Sequence, residues 1–129
     1  MALSFAKLEG AGNGYLAVDG RAPVHPDTDW PSVAREMTRE RVGAGSDGLL
    51  VASEARGAEA AIRMRVLNSD GSEAEMSGNG IRLFAKFVLD RDLAPLRDGA
   101  LVVETLAGLR RVWPQGAERL PPGPQPGAF

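Results

Sequence analysis

Ser77-Gly78-Asn79-Gly80 is the segment of this 129-residue chain whose residue types and spacing most readily support chemistry. It lies where a turn enters an apolar stretch of helical period. Gly78 and Gly80 leave the backbone N–H groups unshielded by side chains. The first N–H groups of a helix have no intrahelical partner and carry the positive end of its dipole. Such an end suits a carboxylate or a phosphate, and Ser77 stands where a hydroxyl would lie beside that anion. An ordinary reading competes, in which Ser77 is an N-cap serine and the glycines permit tight packing. On spacing alone that ordinary reading stands ahead.

Other candidates carry less. Asp70, Glu73 and Glu75 crowd into six residues ahead of the same helix. They have the residue type for acid/base work, yet such charges more often form a solvated turn or favour the positive helix end. His25, between two prolines, reads as an exposed loop histidine. Gly43-Ala44-Gly45-Ser46-Asp47-Gly48 matches the dinucleotide pattern G-x-G-x-x-G, but that pattern needs a strand before it and a helix after it. Here a helical period precedes and a strand follows, so a helix-to-strand turn is expected. Arg63 and Arg65 alternate with Ile62, Met64 and Val66 and are expected on the solvent-facing side of a strand.

The elements that must position these groups follow from period and punctuation. Residues 2–8 and 15–19 read as strands, separated by a loop at Gly10-Ala11-Gly12-Asn13-Gly14, because three glycines in five residues are costly in a regular element. Thr28 or Asp29 caps a helix running to about Arg41, with Trp30, Val33, Ala34 and Met37 on one face and Pro31 in its first turn. Leu49–Ser53 and Ile62–Val66 read as strands. From Gly80 a helix is expected with Ile81, Phe84, Ala85 and Val88 at i, i+3, i+4 and i+7. Leu83, Phe87 and Leu89 make most of its remaining surface apolar, so it should be buried on nearly all sides. Residues 100–106 and 109–113 suggest a hairpin across Ala107-Gly108.

Composition bounds the rest. Fifteen Lys+Arg against 17 Asp+Glu leave a net charge of −2, with no basic excess for a phosphate backbone, so no nucleic-acid partner is expected. The chain has no cysteine, which removes disulfides and thiol chemistry from these residues. No apolar run is long enough to span a membrane and no secretory signal is read at the N-terminus, so no membrane association and a cytoplasmic location are expected. One domain's worth of chain is present.

Three segments together resemble the N-terminal half of diaminopimelate epimerases: Gly10-Ala11-Gly12-Asn13-Gly14-Tyr15-Leu16-Ala17-Val18-Asp19, Arg41-Val42-Gly43-Ala44-Gly45-Ser46-Asp47-Gly48-Leu49-Leu50, and the fifteen-residue run from Asn68 to Arg82. The hairpin Glu104-Thr105-Leu106-Ala107-Gly108 is similar to the family as well. The resemblance implies an α+β fold, a mostly antiparallel sheet wrapped around a central buried helix, as one half of a two-half enzyme. It implies an isomerase of lysine and peptidoglycan-precursor biosynthesis that interconverts LL- and meso-diaminopimelate by two-base proton transfer at Cα. The family uses neither pyridoxal phosphate nor metal, so no cofactor is expected. Its members are often homodimeric.

Residue by residue, the resemblance places Asn13, Gly48, Asn68, Gly78 and Asn79 at substrate-binding positions and Ser77 at the position of a catalytic cysteine. Gly14 stands where the family has Asp. The family's thiolate removes the α-proton while a second cysteine, from the other half, delivers a proton to the opposite face. A serine hydroxyl is not ionised near neutral pH without an adjacent strong base, and no histidine or lysine here is an obvious partner for Ser77. The isolated chain is therefore expected to be inactive, with the C-terminal half as the missing partner and diaminopimelate as the small-molecule ligand. Alternatives are a non-catalytic amino-acid-binding or interaction protein on the same fold, or a related proline-type racemase or dehydratase. The likeness is read over about residues 3 to 113, and residues 1–113 are expected to form the family's N-terminal domain. Residues 114–129, which hold five of the nine prolines, are expected to be a disordered tail or a truncated or frameshifted end.

Overall fold

A computed structural model describes residues 5–10, 13–21, 28–38, 47–75 and 78–114. Ser77, His25, residues 43–46 of the glycine-rich turn and all of the tail after Pro114 lie outside the described residues, as does the side chain of Asn13. The elements in chain order are β1 (Ala6–Gly10), β2 (Asn13–Asp19), α1 (Trp30–Thr38), β3 (Leu49–Ser53), β4 (Ile62–Leu67), β5 (Glu73–Ala74), α2 (Gly78–Asp90), β6 (Leu101–Thr105) and β7 (Gly108–Val112).

The seven strands form one mixed sheet in the order β1-β2-β3-β4-β6-β7, with β5 paired to β4. Among the described residues four of the six pairings are antiparallel, and β2–β3 and β4–β6 are parallel. The sheet wraps α2. Strand alternation explains how. Tyr15, Ala17, Leu50, Ala52, Ile62, Met64 and Val66 face one side and pack with Ile81, Phe84, Phe87 and Val88 of α2. Their neighbours Leu16, Val18, Leu49, Val51 and Leu67 face the other side and pack with Trp30 and Ala34 of α1. β3 is thus covered on both faces, which is why it reads as a continuous apolar run.

α2 is buried along Gly80, Ile81, Phe84, Ala85, Phe87 and Val88, and its exposed stripe is Arg82, Lys86 and Asp90. Lys86 and Asp90 form an i,i+4 ion pair at 2.9 Å on that stripe. At the far end Arg21 grips both carboxylate oxygens of Asp19 and donates to the Leu93 carbonyl at 2.7 Å, tying the end of β2 to the loop that follows α2. α1 begins as its sequence suggests. The Asp29 carboxylate accepts from the Ser32 hydroxyl at 2.8 Å and from the Ser32 amide at 3.3 Å, and Pro31 sits in the first turn.

Five expectations need correction. β1 runs from Ala6 to Gly10 rather than over residues 2–8, of which residues 1–4 lie outside the described set. Strand pairing also continues into the glycine-rich stretch, with Gly10 opposite Asn13 and Glu9 opposite Gly14. The ladder's hydrogen bonds outweigh the entropic cost of glycine there. α2 starts at Gly78, so Gly78 and Asn79 belong to its first turn. The β6–β7 turn is at Leu106-Ala107, one residue earlier than expected. Thr105 pairs with Gly108, the Thr105 hydroxyl donates to the Gly108 carbonyl at 2.7 Å, and Gly108 takes the positive φ of 110° that closes the turn.

The fifth correction concerns Arg63 and Arg65, which do face away from α2 but not into open solvent. Their side chains are only 11% and 23% exposed. Arg65 forms a two-pronged pair with Glu73 at 2.9 and 3.2 Å, and Arg63 lies 3.6 Å from Glu104. Glu104 also accepts from the Arg56 and Gly57 amides, so the loop after β3 folds over this face. Burial, then the charge of Arg56, pulls the Arg63 guanidinium below its ordinary value.

Candidate functional site

Register brings the dispersed candidate residues to one end of the sheet. Asn13 opens β2 at the tip of the first hairpin, opposite Gly10. β3 runs parallel to β2 with Leu16 opposite Leu49, so Gly48, immediately before β3, lies at that same end. β4 runs antiparallel with Leu67 opposite Leu49, so Asn68 leaves β4 directly across from Gly48. Ala74 pairs with Val66, and α2 begins four residues later at Gly78. A chain spans at most about 3.6 Å per residue, so the helix start lies within about 14 Å of Ala74. A Cβ at Gly10 would lie 3.3 Å from the Leu83 side chain, which sets the early turns of α2 beside the first hairpin.

Asp47 and Gly48 are stitched to the start of β2. The Asp47 carboxylate accepts from the Gly14 amide at 2.7 Å, and the Asp47 amide donates to the Gly14 carbonyl at 3.0 Å. The Leu16 amide then donates to the Gly48 carbonyl at 3.0 Å. Gly48 is buried with a φ of 140°, and a Cβ there would run into the Leu67 carbonyl oxygen. No other residue type fits so close an approach of two backbones.

The turn after β4 is closed by backbone and side chain alike. The Asn68 amide donates to the Ser72 carbonyl at 2.7 Å, and the Gly71 amide donates to the Asn68 carbonyl at 2.9 Å. Gly71, with a φ of 91°, packs against Arg35 and the Pro31 carbonyl of α1. On the exposed side, Asn68 Nδ2 donates to Ser72 Oγ at 3.0 Å, and Ser72 Oγ donates to Asp70 Oδ1 at 2.6 Å. That hydroxyl, with the Ser72 amide, holds the Asp70 carboxyl below the usual carboxylate range.

α2 begins with exposed Gly78 and half-buried Asn79, and no acidic side chain occupies its first turn. Its positive end is therefore not neutralised by its own residues. The structure thus gathers Asn13, Gly48 and Asn68 at one sheet end and brings the start of α2 near it. Of the three carboxylates suspected of acid/base work, Asp70 is bound within the turn, Glu73 is held by Arg65, and Glu75 is exposed.

Sequence reasoning did not single out Asp47 or Ser72. Asp47 lies 33 residues from its partner Gly14, a relationship no local pattern reveals. Ser72 was legible in principle, because Asn-x-Asp-Gly-Ser is a spacing at which side chains bond their own turn. Among the described residues no group of three or more His, Asp or Glu side chains converges as a metal site, and no helix is long and apolar enough to cross a membrane.

Comparison with known proteins adds a family assignment. Residues 5–118 match the family model described as diaminopimelate epimerase. The chain is similar to proteins named diaminopimelate epimerase from Halothermothrix orenii (44% identity over 109 residues, 84% of this chain and 37% of that protein). The corresponding protein of Methanothermobacter thermautotrophicus is 45% identical over 109 residues, again 84% and 37%. That of Synechococcus sp. is 46% identical over 114 residues, 88% and 38%. The chain therefore spans somewhat over a third of the length of these relatives. Among solved structures it is similar in fold to a Bacillus anthracis phenazine biosynthesis protein of the PhzF family, with a TM-score of 0.59 and 18% identity over 88% of this chain and 36% of that one.

Proposed function

The chain belongs to the diaminopimelate epimerase family, an isomerase family, and on that premise we propose that it builds one wall of a diaminopimelate site. The observation that carries this reading is the register that sets Asn13, Gly48 and Asn68 at one end of the sheet, the end from which β5 leads into α2. In this reading the positive end of α2, whose first turn holds no acidic residue, receives the carboxylate at one amino-acid end of the ligand, through Gly78 and Asn79. Asn13 and Asn68 supply amide hydrogen bonds, and Gly48 lines the pocket.

Epimerisation requires that the Cα–H bond break toward a base on one face. The electron pair is held on the carbon and its carboxylate, and a proton is then delivered to the other face. No cofactor is needed if two protein groups of suitable pKa flank the carbon. This chain offers Ser77 at the first of those positions and has no cysteine anywhere. Each pKa unit by which a base is mismatched costs about 1.4 kcal/mol, so a hydroxyl many units above neutrality does not abstract the proton usefully. We therefore assign the 129 residues a binding role and no epimerase turnover of their own.

The test is Cα–H exchange in deuterated water with LL- and meso-diaminopimelate. The expected result is ligand binding by calorimetry with no exchange and no interconversion. Exchange by the purified chain would overturn the assignment of inactivity, and failure to bind diaminopimelate would overturn the site. The absence of cysteine favours one second reading, an amino-acid-binding protein on this fold with a different ligand. Calorimetry against other amino acids separates the two.

A further inference from the structure

The three exposed side chains of the turn after β4 have a direction of hydrogen bonding that follows from the chemistry of their ends. Asp70 is a carboxylate held in its charged form, and a carboxylate only accepts. The short 2.6 Å separation between Ser72 Oγ and Asp70 Oδ1 is that of a hydroxyl donating to a charged oxygen. A serine hydroxyl has one proton, so once it is given to Asp70 the Ser72 oxygen can only accept. The group of Asn68 that lies 3.0 Å from Ser72 Oγ must then be the Nδ2 amide and not the carbonyl. The backbone bond from the Asn68 amide to the Ser72 carbonyl, at 2.7 Å, keeps the two residues in reach of one another. Gly71, packed under Arg35 and Pro31, anchors the turn to α1.

We propose that Asp70 and Ser72 are positioning residues that fix the polarity of the Asn68 amide, so that its carbonyl oxygen is the end turned away from the turn and offered to a ligand. Without this relay an exposed asparagine rotates freely and presents donor and acceptor equally. With it, Asn68 Oδ1 selects a hydrogen-bond donor, as the ammonium group of an amino acid is. The ligand part of this inference rests on the diaminopimelate reading above. The positioning part does not.

Nuclear magnetic resonance of the 15N-labelled 129-residue chain tests both. Asn68→Asp identifies the Asn68 side-chain NH2 signal by its disappearance. The expected result is a signal as restrained, by steady-state heteronuclear NOE, as the neighbouring backbone amides. Ser72→Ala should drop it to the mobility of an unrestrained exposed asparagine side chain, and Ser72→Thr, which keeps the hydroxyl, should preserve it. Asp70→Asn should loosen it too, because an amide at 70 can donate to Ser72 Oγ and release the serine proton toward Asn68. Backbone spectra report whether each variant is folded, and Asp70→Asn serves if Ser72→Ala is not. An Asn68 signal that is mobile in the parent chain, or unchanged in both Ser72→Ala and Asp70→Asn, overturns the proposal. Titration with meso-diaminopimelate is the second arm. Affinity should fall about tenfold in Ser72→Ala and stay near the parent value in Ser72→Thr. Equal affinities in all three overturn the assignment of Asn68 Oδ1 to the ligand, while the mobility arm decides the positioning role. A parent chain that shows no response to diaminopimelate overturns the functional reading instead, and the mobility arm still decides the polarity of Asn68.

Discussion

Asp47 holds Gly14 by both of its backbone polar groups, its carboxylate accepting from the Gly14 amide at 2.7 Å and its own amide donating to the Gly14 carbonyl at 3.0 Å. The pair extends the parallel β2–β3 ladder to the tip of the first hairpin, next to Asn13. Removing the carboxylate leaves a buried amide without its acceptor, a loss of about 1–3 kcal/mol in general. Asp47 itself is exposed and water can reach the vacated place, so Asp47→Ala should cost about 1 kcal/mol, the low end of that range. Asp47→Asn keeps an acceptor oxygen and should cost less. Urea unfolding of the three proteins measures this, and equal midpoints would remove the role assigned to Asp47.

Gly48 and Gly57 form a matched pair for a second prediction. Gly48 has a φ of 140° and no room for a Cβ beside Leu67, whereas Gly57 has nothing within 4 Å of where a Cβ would sit. Backbone strain of that kind costs about 1–3 kcal/mol, before the clash is counted. Gly48→Ala should therefore destabilise by at least about 2 kcal/mol, and Gly57→Ala should stay within about 0.5 kcal/mol of the parent. Thermal or chemical unfolding of the two variants side by side checks the contrast.

Glu104 serves three partners: the Arg63 guanidinium and the amides of Arg56 and Gly57. Glu104→Ala strips a mostly buried arginine of its partner and frees the loop after β3. Its cost should be about 1–3 kcal/mol, the range for leaving buried polar groups unpaired. Glu104→Gln retains an acceptor for the two amides and should lose only part of that. Hydrogen exchange at the Arg56 and Gly57 amides should quicken in Glu104→Ala, and unchanged protection there would refute the loop anchor.

Acid should weaken α1 through Asp29. The Ser32 hydroxyl and amide hold the Asp29 carboxyl below the ordinary carboxylate range in the folded chain. A depressed folded value contributes stability that is fully present above the unfolded value, about 3.9, and is lost as pH falls through the folded one. Asp29→Asn keeps a capping oxygen but does not titrate. Between about pH 5 and about pH 2.5 the parent should lose more stability than the Asp29→Asn variant does, and parallel pH profiles of the two would contradict this account.

Much of the fold was legible because it is local. The alternation Ile62, Met64, Val66 and the helical spacing Ile81, Phe84, Ala85, Val88 each report a face that must be buried, and both are. Capping at Asp29 was legible for the same reason, since donor and acceptor are three residues apart. The surroundings of Arg63 and Arg65 were not, because alternation marks which face a residue takes but not what covers that face. Their cover is Glu73 and Glu104, carried by other strands. β5 escaped notice because two residues carry no period.

The candidate site divides in the same way. Residue types, their order and the glycine-led start of an apolar helix are properties of the sequence, and they suffice to place the chain among its relatives. The tertiary structure alone decided that Asn13, Gly48 and Asn68 share one end of the sheet, that Asp47 clasps Gly14 across 33 residues, and that no side chain fits at position 48. Periodicity is set by how one residue's backbone follows the next. Register and close approach are set by hydrogen bonds and packing between segments that meet only when the sheet has closed around α2.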